Sequence, residues 1–427
     1  MKKTLIFFVL ILIPLFSFGQ FNKVVAIGDS LFAGFVSGGL MVDYQKNSIP
    51  ALVAKQIGLT DFQQPYVSYP GIPALLELKS LSPITIEQIS SENGNPLNLE
   101  LQRPYDNLAV PGATLYDCLH TTTGGMNDLI LRGRGTQVEQ ALSLNPDLLL
   151  IWIGNNDVLG AAVSGTAIPG ITITPKETFE NLYIQLLNTV QSLSSAKIIV
   201  ANIPDVTNIP FVTTIPPFII NPSTGLPIYD ENGNLVPYLG QSDDGSPLVS
   251  LNSYILLTAK EYISQGYGIP VELGGRGEPL PDFTVLTPNE TSTILEYLNY
   301  FNSVIENQAN QKDIAFFDVN SFFSEVKENG ISIAGMEFNS DFLSGGLFSY
   351  DGVHPNALGY AILANEFIKN LNGFYHLKIP YVGISPFAFT TTPTLPFFAS
   401  DEIVLNDFEE WISIFVRKNF FWNRKKF

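Results

Sequence analysis

Apolar residues fall along this chain in two alternating rhythms. Near-continuous runs at 23–30 (KVVAIGDS), 147–154 (DLLLIWIG), 197–203 and 314–319 predict strands, and 107–112 a further short one. Apolar runs without polar alternation suit central parallel strands covered on both faces. Between them the spacing turns helical. Thr174-Pro175-Lys176-Glu177 reads as a capping box with proline in the first turn. After it, Phe179, Leu182, Tyr183, Leu186, Leu187, Val190 and Leu193 share one face. Thr287-Pro288-Asn289-Glu290 repeats the start signal ahead of Ile294, Leu295, Leu298 and Phe301, and 356–371 predicts a last helix after Pro355. Strand–helix alternation of this kind predicts an α/β fold: a parallel sheet with helices on both faces.

Two stretches break the rhythm. Residues 60–106 and 206–286 are rich in Pro, Gly, Asn and Ser and too long for plain connections, which marks them as ordered insertions or mobile covers. Tyr229-Asp230-Glu231-Asn232-Gly233-Asn234-Leu235 predicts a hairpin with Asn-Gly as its two-residue turn; its likeness to a calcium loop is weak, because further ligands are missing. At the start, Lys2 and Lys3 precede an apolar run over 5–16, followed by Ser17 and Gly19. That is the layout of a secretory signal peptide over 1–19, and it predicts export to the periplasm or the exterior. The chain then reads as one domain over 20–375 and a C-terminal extension over 376–427. Residues 407–427 mix aromatic and basic side chains; a membrane-surface helix and a helix packed on the domain both fit.

Composition narrows the function. Of 427 residues, 45% are hydrophobic and 15% charged, which suits a large folded core rather than disorder. The formal net charge of −18 repels phosphate backbones and so argues against nucleic-acid partners. Cys118 is the single cysteine, so an internal disulfide and a cysteine metal site are both excluded, and a buried apolar role fits it best.

Four short words carry candidate chemistry: Gly28-Asp29-Ser30-Leu31, Asn107-Leu108-Ala109-Val110-Pro111-Gly112, Gly154-Asn155-Asn156-Asp157 and Asp351-Gly352-Val353-His354-Pro355. The first three close predicted strands and the fourth precedes the last helix, so all four meet at the carboxyl edge of the sheet, where α/β proteins bind ligands. A serine hydroxyl needs a base within hydrogen-bond reach. Of the three histidines, His354 follows Asp351 by three residues in a turn, a spacing that lets a carboxylate orient an imidazole. His120 follows Asp117 by the same spacing but lies in a predicted helix, and His376 has no such partner. Ser30 N–H, Gly112 N–H and the Asn156 side chain are candidate oxyanion donors. Asp29 and Asp157 read as turn or helix caps outside the catalytic set.

Together the four words resemble the signature of the SGNH hydrolases, the GDSL esterases and lipases, over 24–371. The resemblance implies a three-layer α/β/α fold with a five-stranded, flavodoxin-like parallel sheet. It implies a serine esterase with Ser30, Asp351 and His354 as the triad and Ser30, Gly112 and Asn156 as the oxyanion hole, needing no metal or organic cofactor. The expected partner is a small-molecule or lipid ester. A carbohydrate O-acetyl esterase or acyltransferase of the same family, and a non-catalytic secreted binding module on a hydrolase fold, are the alternatives. The run Ile209, Phe211, Val212, Ile215, Phe218, Ile219 and Ile220 fits either an apolar lid or a packed insertion.

Overall fold

The computed structural model describes residues 21–81, 84–333 and 335–388. The signal-peptide segment 1–19 and the aromatic and basic segment 407–427 lie outside the described residues. Four apolar runs become the parallel strands β1 (Val24–Gly28), β2 (Leu148–Trp152), β3 (Lys197–Ala201) and β4 (Ala315–Phe317), paired in that order. β1 pairs β2 from Val24↔Leu148 to Gly28↔Trp152, and β2 pairs β3 from Leu148↔Lys197.

Segment 107–112 departs from expectation. It makes no ladder strand, only a parallel bridge between Asn107 and Ala26. Ala26 N–H donates to the Asp106 carbonyl (2.8 Å), Leu108 N–H to Ala26 (2.9 Å) and Val110 N–H to Gly28 (3.0 Å). Pro111 lacks a donor and Gly112 turns at φ +82°, so the segment leaves the sheet edge before a strand is established. It still occupies the outer position beside β1, giving the spatial order 2-1-3-4-5 of a flavodoxin-like sheet, whose switch point lies at β1.

The helices used below are α1 (Ser30–Ala33), α2 (Ile49–Ile57), α3 (Leu115–His120), α4 (Asn156–Ser164), α5 (Lys176–Leu193), α6 (Pro288–Gln311), α7 (Val319–Asn329) and α8 (Ala357–Tyr375). α5 packs on α6, with the Phe179 and Phe301 rings stacked 3.9 Å apart, and α8 packs on α2 and β4. On α5, Phe179 to Val190 are buried as the spacing predicts, but Leu193 at the frayed end is 69% exposed. The two start signals behave differently. At α6, Thr287 and Glu290 form the reciprocal capping box. At α5, Thr174 forms none, because its hydroxyl donates to the buried Asp157 carboxylate (2.7 Å).

The insertions are ordered. The first contains an antiparallel hairpin of Leu76–Leu81 with Ile84–Gln88, and it is pinned at its end by Asp106. That buried carboxylate accepts from Lys23 (2.9 Å), from both terminal nitrogens of Arg103 (2.9 Å each) and from Gln63 N–H (2.7 Å). The second has its own small core of Ile219, Tyr238, Val249, Ile255, Ala259, Leu280 and Val285. Lys260 of the second donates to the Ile84 carbonyl of the first. The 229–235 hairpin forms, but Gly233 N–H bonds the Asp230 carbonyl, so Glu231 and Asn232 are the central turn residues and Gly233 takes the left-handed position after them. Beyond α8, Leu377, Ile379 and Val382 are buried on the main core. Among the described residues no helix is long and apolar enough to cross a membrane.

Candidate active site

β1 ends at Gly28, where a Cβ would lie 2.4 Å from the Trp152 carbonyl oxygen. Only glycine lets β1 and β2 approach this closely just before the chain turns into α1. Asp29 caps that turn by accepting from Leu31 N–H (3.1 Å), leaving Ser30 as the first helical residue. At the other end of the chain, Asp351-Gly352-Val353-His354 forms a turn ahead of α8. His354 Nε2 lies 2.8 Å from Ser30 Oγ, and its Nδ1 lies 3.0 Å from Asp351 Oδ2.

Asp351 accepts from more groups than its histidine. Its Oδ1 takes the N–H groups of Val353 (2.9 Å) and His354 (2.8 Å), and its Oδ2 also takes Gly38 N–H (2.9 Å). Burial pushes this carboxyl up, but the His354 ring and these N–H donors outweigh burial and hold it at about 2. Gly38 was not legible as a site residue, since a backbone N–H carries no side-chain signature. The loop that carries it is fixed twice, by Ser37 N–H to Ser349 Oγ (2.9 Å) and by Leu76 N–H of the first insertion to the Ser37 carbonyl (2.7 Å). The second insertion grips the same turn, with Phe211 N–H donating to the Gly352 carbonyl (2.8 Å). Both insertions therefore buttress the Asp351–His354 turn and the loop that meets it.

Gly112 is exposed at φ +82°, and a Cβ there would meet open space. Asn156 opens α4 and donates from Nδ2 to the Ala113 carbonyl (2.9 Å), which ties it to the turn carrying Gly112 and leaves its second amide hydrogen. Among the described residues, neither Ser30 N–H nor Gly112 N–H enters a hydrogen bond. Asp157 is buried and joins Leu115 N–H (2.8 Å) to the Thr174 hydroxyl (2.7 Å), so it anchors α3 just beyond Gly112. Burial raises its carboxyl to about 7 against those hydrogen bonds. Asp29, bonded to Asn155 Nδ2 (2.8 Å), is likewise raised by burial to about 6.

The remaining candidates are placed elsewhere. His120 is exposed and lies tilted against Tyr116, with centroids 4.8 Å apart, while Asp117 spends its carboxylate on Thr114 and Thr121. His376 is an exposed left-handed cap after α8. Cys118 is fully buried, and burial pushes its thiol far up. Asp230 accepts from Asn232 and Asn234 N–H in its own turn.

A cleft opens beside Ser30 and His354. Its walls include Leu31, Leu159, Val206, Ile209, Phe323 and Phe348. Of the apolar run in the second insertion, Ile209 reaches this cleft whereas Ile219 is buried in the insertion's own core. The family model for GDSL-like lipase/acylhydrolase matches residues 24–367. The chain belongs to this family.

It is accordingly a hydrolase of ester bonds. No curated protein matches the GDSL chain significantly. The chain is similar to several solved structures. One is LAE5, an alpha/beta hydrolase enzyme from the metagenome of Lake Arreo (13% identity, 82% of this chain and 95% of that chain, TM-score 0.36). Another is an acetylxylan esterase from Geobacillus stearothermophilus (14%, 82% and 93%, TM-score 0.34). A third is a family 3 carbohydrate esterase from Clostridium thermocellum (15%, 83% and 96%, TM-score 0.33).

Proposed function

We propose that this GDSL protein is an exported serine esterase that cleaves carboxylic esters bearing an apolar chain. The observation that carries the reading is the continuous relay from Ser30 Oγ through His354 to Asp351, at 2.8 and 3.0 Å. His354 Nε2 takes the hydroxyl proton as Ser30 Oγ attacks the ester carbonyl carbon. The carbonyl oxygen becomes an oxyanion, met by Ser30 N–H, Gly112 N–H and Asn156 Nδ2 as hydrogen-bond donors. The C–O bond to the alcohol breaks, and His354 returns the proton to the leaving oxygen. Water, deprotonated by His354, then attacks the acyl-serine; the bond to Ser30 Oγ breaks, His354 returns the proton to Ser30 and the acid leaves. Asp351 holds the imidazole tautomer and stabilises its cation; it takes no proton itself. The apolar cleft beside Ser30 supports a hydrocarbon-bearing ester over a polar one.

Ser30→Ala should abolish hydrolysis of p-nitrophenyl butyrate and labelling by a fluorophosphonate probe, with the melting temperature preserved; retained turnover would overturn the assignment. His354→Ala should be nearly as damaging and His120→Ala silent. Export rests on the pattern of 1–19 and is tested by N-terminal sequencing of secreted protein, which should begin at Gln20 rather than Met1.

A further inference from the structure

A second, smaller apolar pocket lies against the first, and Phe323 and Pro355 line both. Its other walls include Phe322, Val326, Ile331, Leu347, Ile362 and Leu363. No side chain there offers a hydrogen bond, so a polar group entering would lose its water without replacement. α7 serves both spaces. Phe322 and Val326, four apart, face the second cavity, and Phe323 and Lys327, also four apart, face the first.

We propose that the two cavities are proximal and distal parts of one channel for the hydrocarbon chain of the ester, with Phe323 as the door between them. The proposal rests on Ser30 being the nucleophile. Pro355 cannot move without moving His354, its neighbour. Phe323 can: its half-buried ring is held only by contacts, with centroids 5.9 Å from Phe322 and 6.1 Å from Phe348. A turn about its side-chain torsions to another staggered well joins the two spaces. Short chains then end in the proximal cleft, and long ones reach the distal chamber past Phe323. The chain belongs either to the acid or to the alcohol of the ester.

Two substrate series test this: p-nitrophenyl esters from butyrate to palmitate, and alkyl acetates from butyl to hexadecyl. Val326→Phe and Ile362→Phe each fill the distal chamber without touching the proximal cleft. Both should lower kcat/KM for the long members of one series, by roughly tenfold for every two methylenes shut out, and leave the short members unchanged. Phe323→Ala should raise the long members relative to the short. Loss in the first series places the acyl chain in the channel, and loss in the second places the alcohol there. Melting curves and the short-ester rates show that each variant is folded, and either variant alone suffices. If both variants scale every chain length equally, or change none, the channel is refuted while the Ser30 reading stands. Long-ester turnover that survives Ser30→Ala refutes the Ser30 reading instead.

Discussion

At Asp351 four N–H groups converge on one carboxylate: the backbone of Gly38, Val353 and His354, and the ring of His354. Asp351→Asn keeps the shape but turns one oxygen into a donor that faces other donors. It should lower kcat for p-nitrophenyl butyrate by about 10³–10⁴-fold through the wrong imidazole tautomer. A loss below tenfold would show that the backbone alone orients His354. The contact between His354 and Asp351 was legible from a three-residue spacing within one turn. Gly38 was not, because what matters there is an N–H brought in by the fold from over three hundred residues away. Asp29 caps its turn as its position suggests, but Asp157 caps no turn of its own: its carboxylate crosses to Leu115 and Thr174, through tertiary packing that spacing does not encode.

At the scale of elements, β1 to β4 were legible because an unbroken apolar run admits few readings. The outer segment at 107–112 was less so: it has the polarity of a strand end and pairs through only a few bonds beside β1. The two Thr-Pro-x-Glu starts look alike in sequence and differ in structure, because a buried carboxylate competes for Thr174 and nothing competes for Thr287. The difference is measurable. Thr287→Ala removes an ordinary cap and should cost about 1 kcal/mol at any pH near neutral. Thr174→Val deprives an ionised, buried Asp157 of a donor and should cost about 1–3 kcal/mol. That cost should grow as pH rises through 7, where Asp157 ionises. Chemical denaturation at pH 6 and pH 8 checks it: a Thr174→Val cost independent of pH would contradict the role given to Asp157.

At the scale of the molecule, three buried carboxylates pull stability in opposite directions with pH. Asp157 and Asp29 titrate at about 7 and about 6 in the folded state, above the ordinary value of about 4 in the unfolded chain. Between those values the folded state holds more protons, so stability rises as pH falls from about 8 to about 5. Asp351 sits at about 2, below its unfolded value, so its contribution is lost as pH falls from about 4 to about 2. The melting temperature should climb and then fall along that course. Asp157→Asn should remove the part of the climb centred near pH 7; an unchanged climb in that variant would assign it to other groups.

The bond from Gly38 to Asp351 joins the first strand's loop to a residue near the end of the described chain. This has a consequence for biosynthesis. During synthesis Ser30 emerges early, but neither His354 nor Asp351, the base and the orienting acid of the proposed mechanism, exists until more than three hundred further residues have followed. On the proposed mechanism, a ribosome-bound chain is therefore inert toward the esters around it. The enzyme gains its chemistry only as the last helix folds down, and a product truncated anywhere before His354 should bind substrate poorly and turn over none.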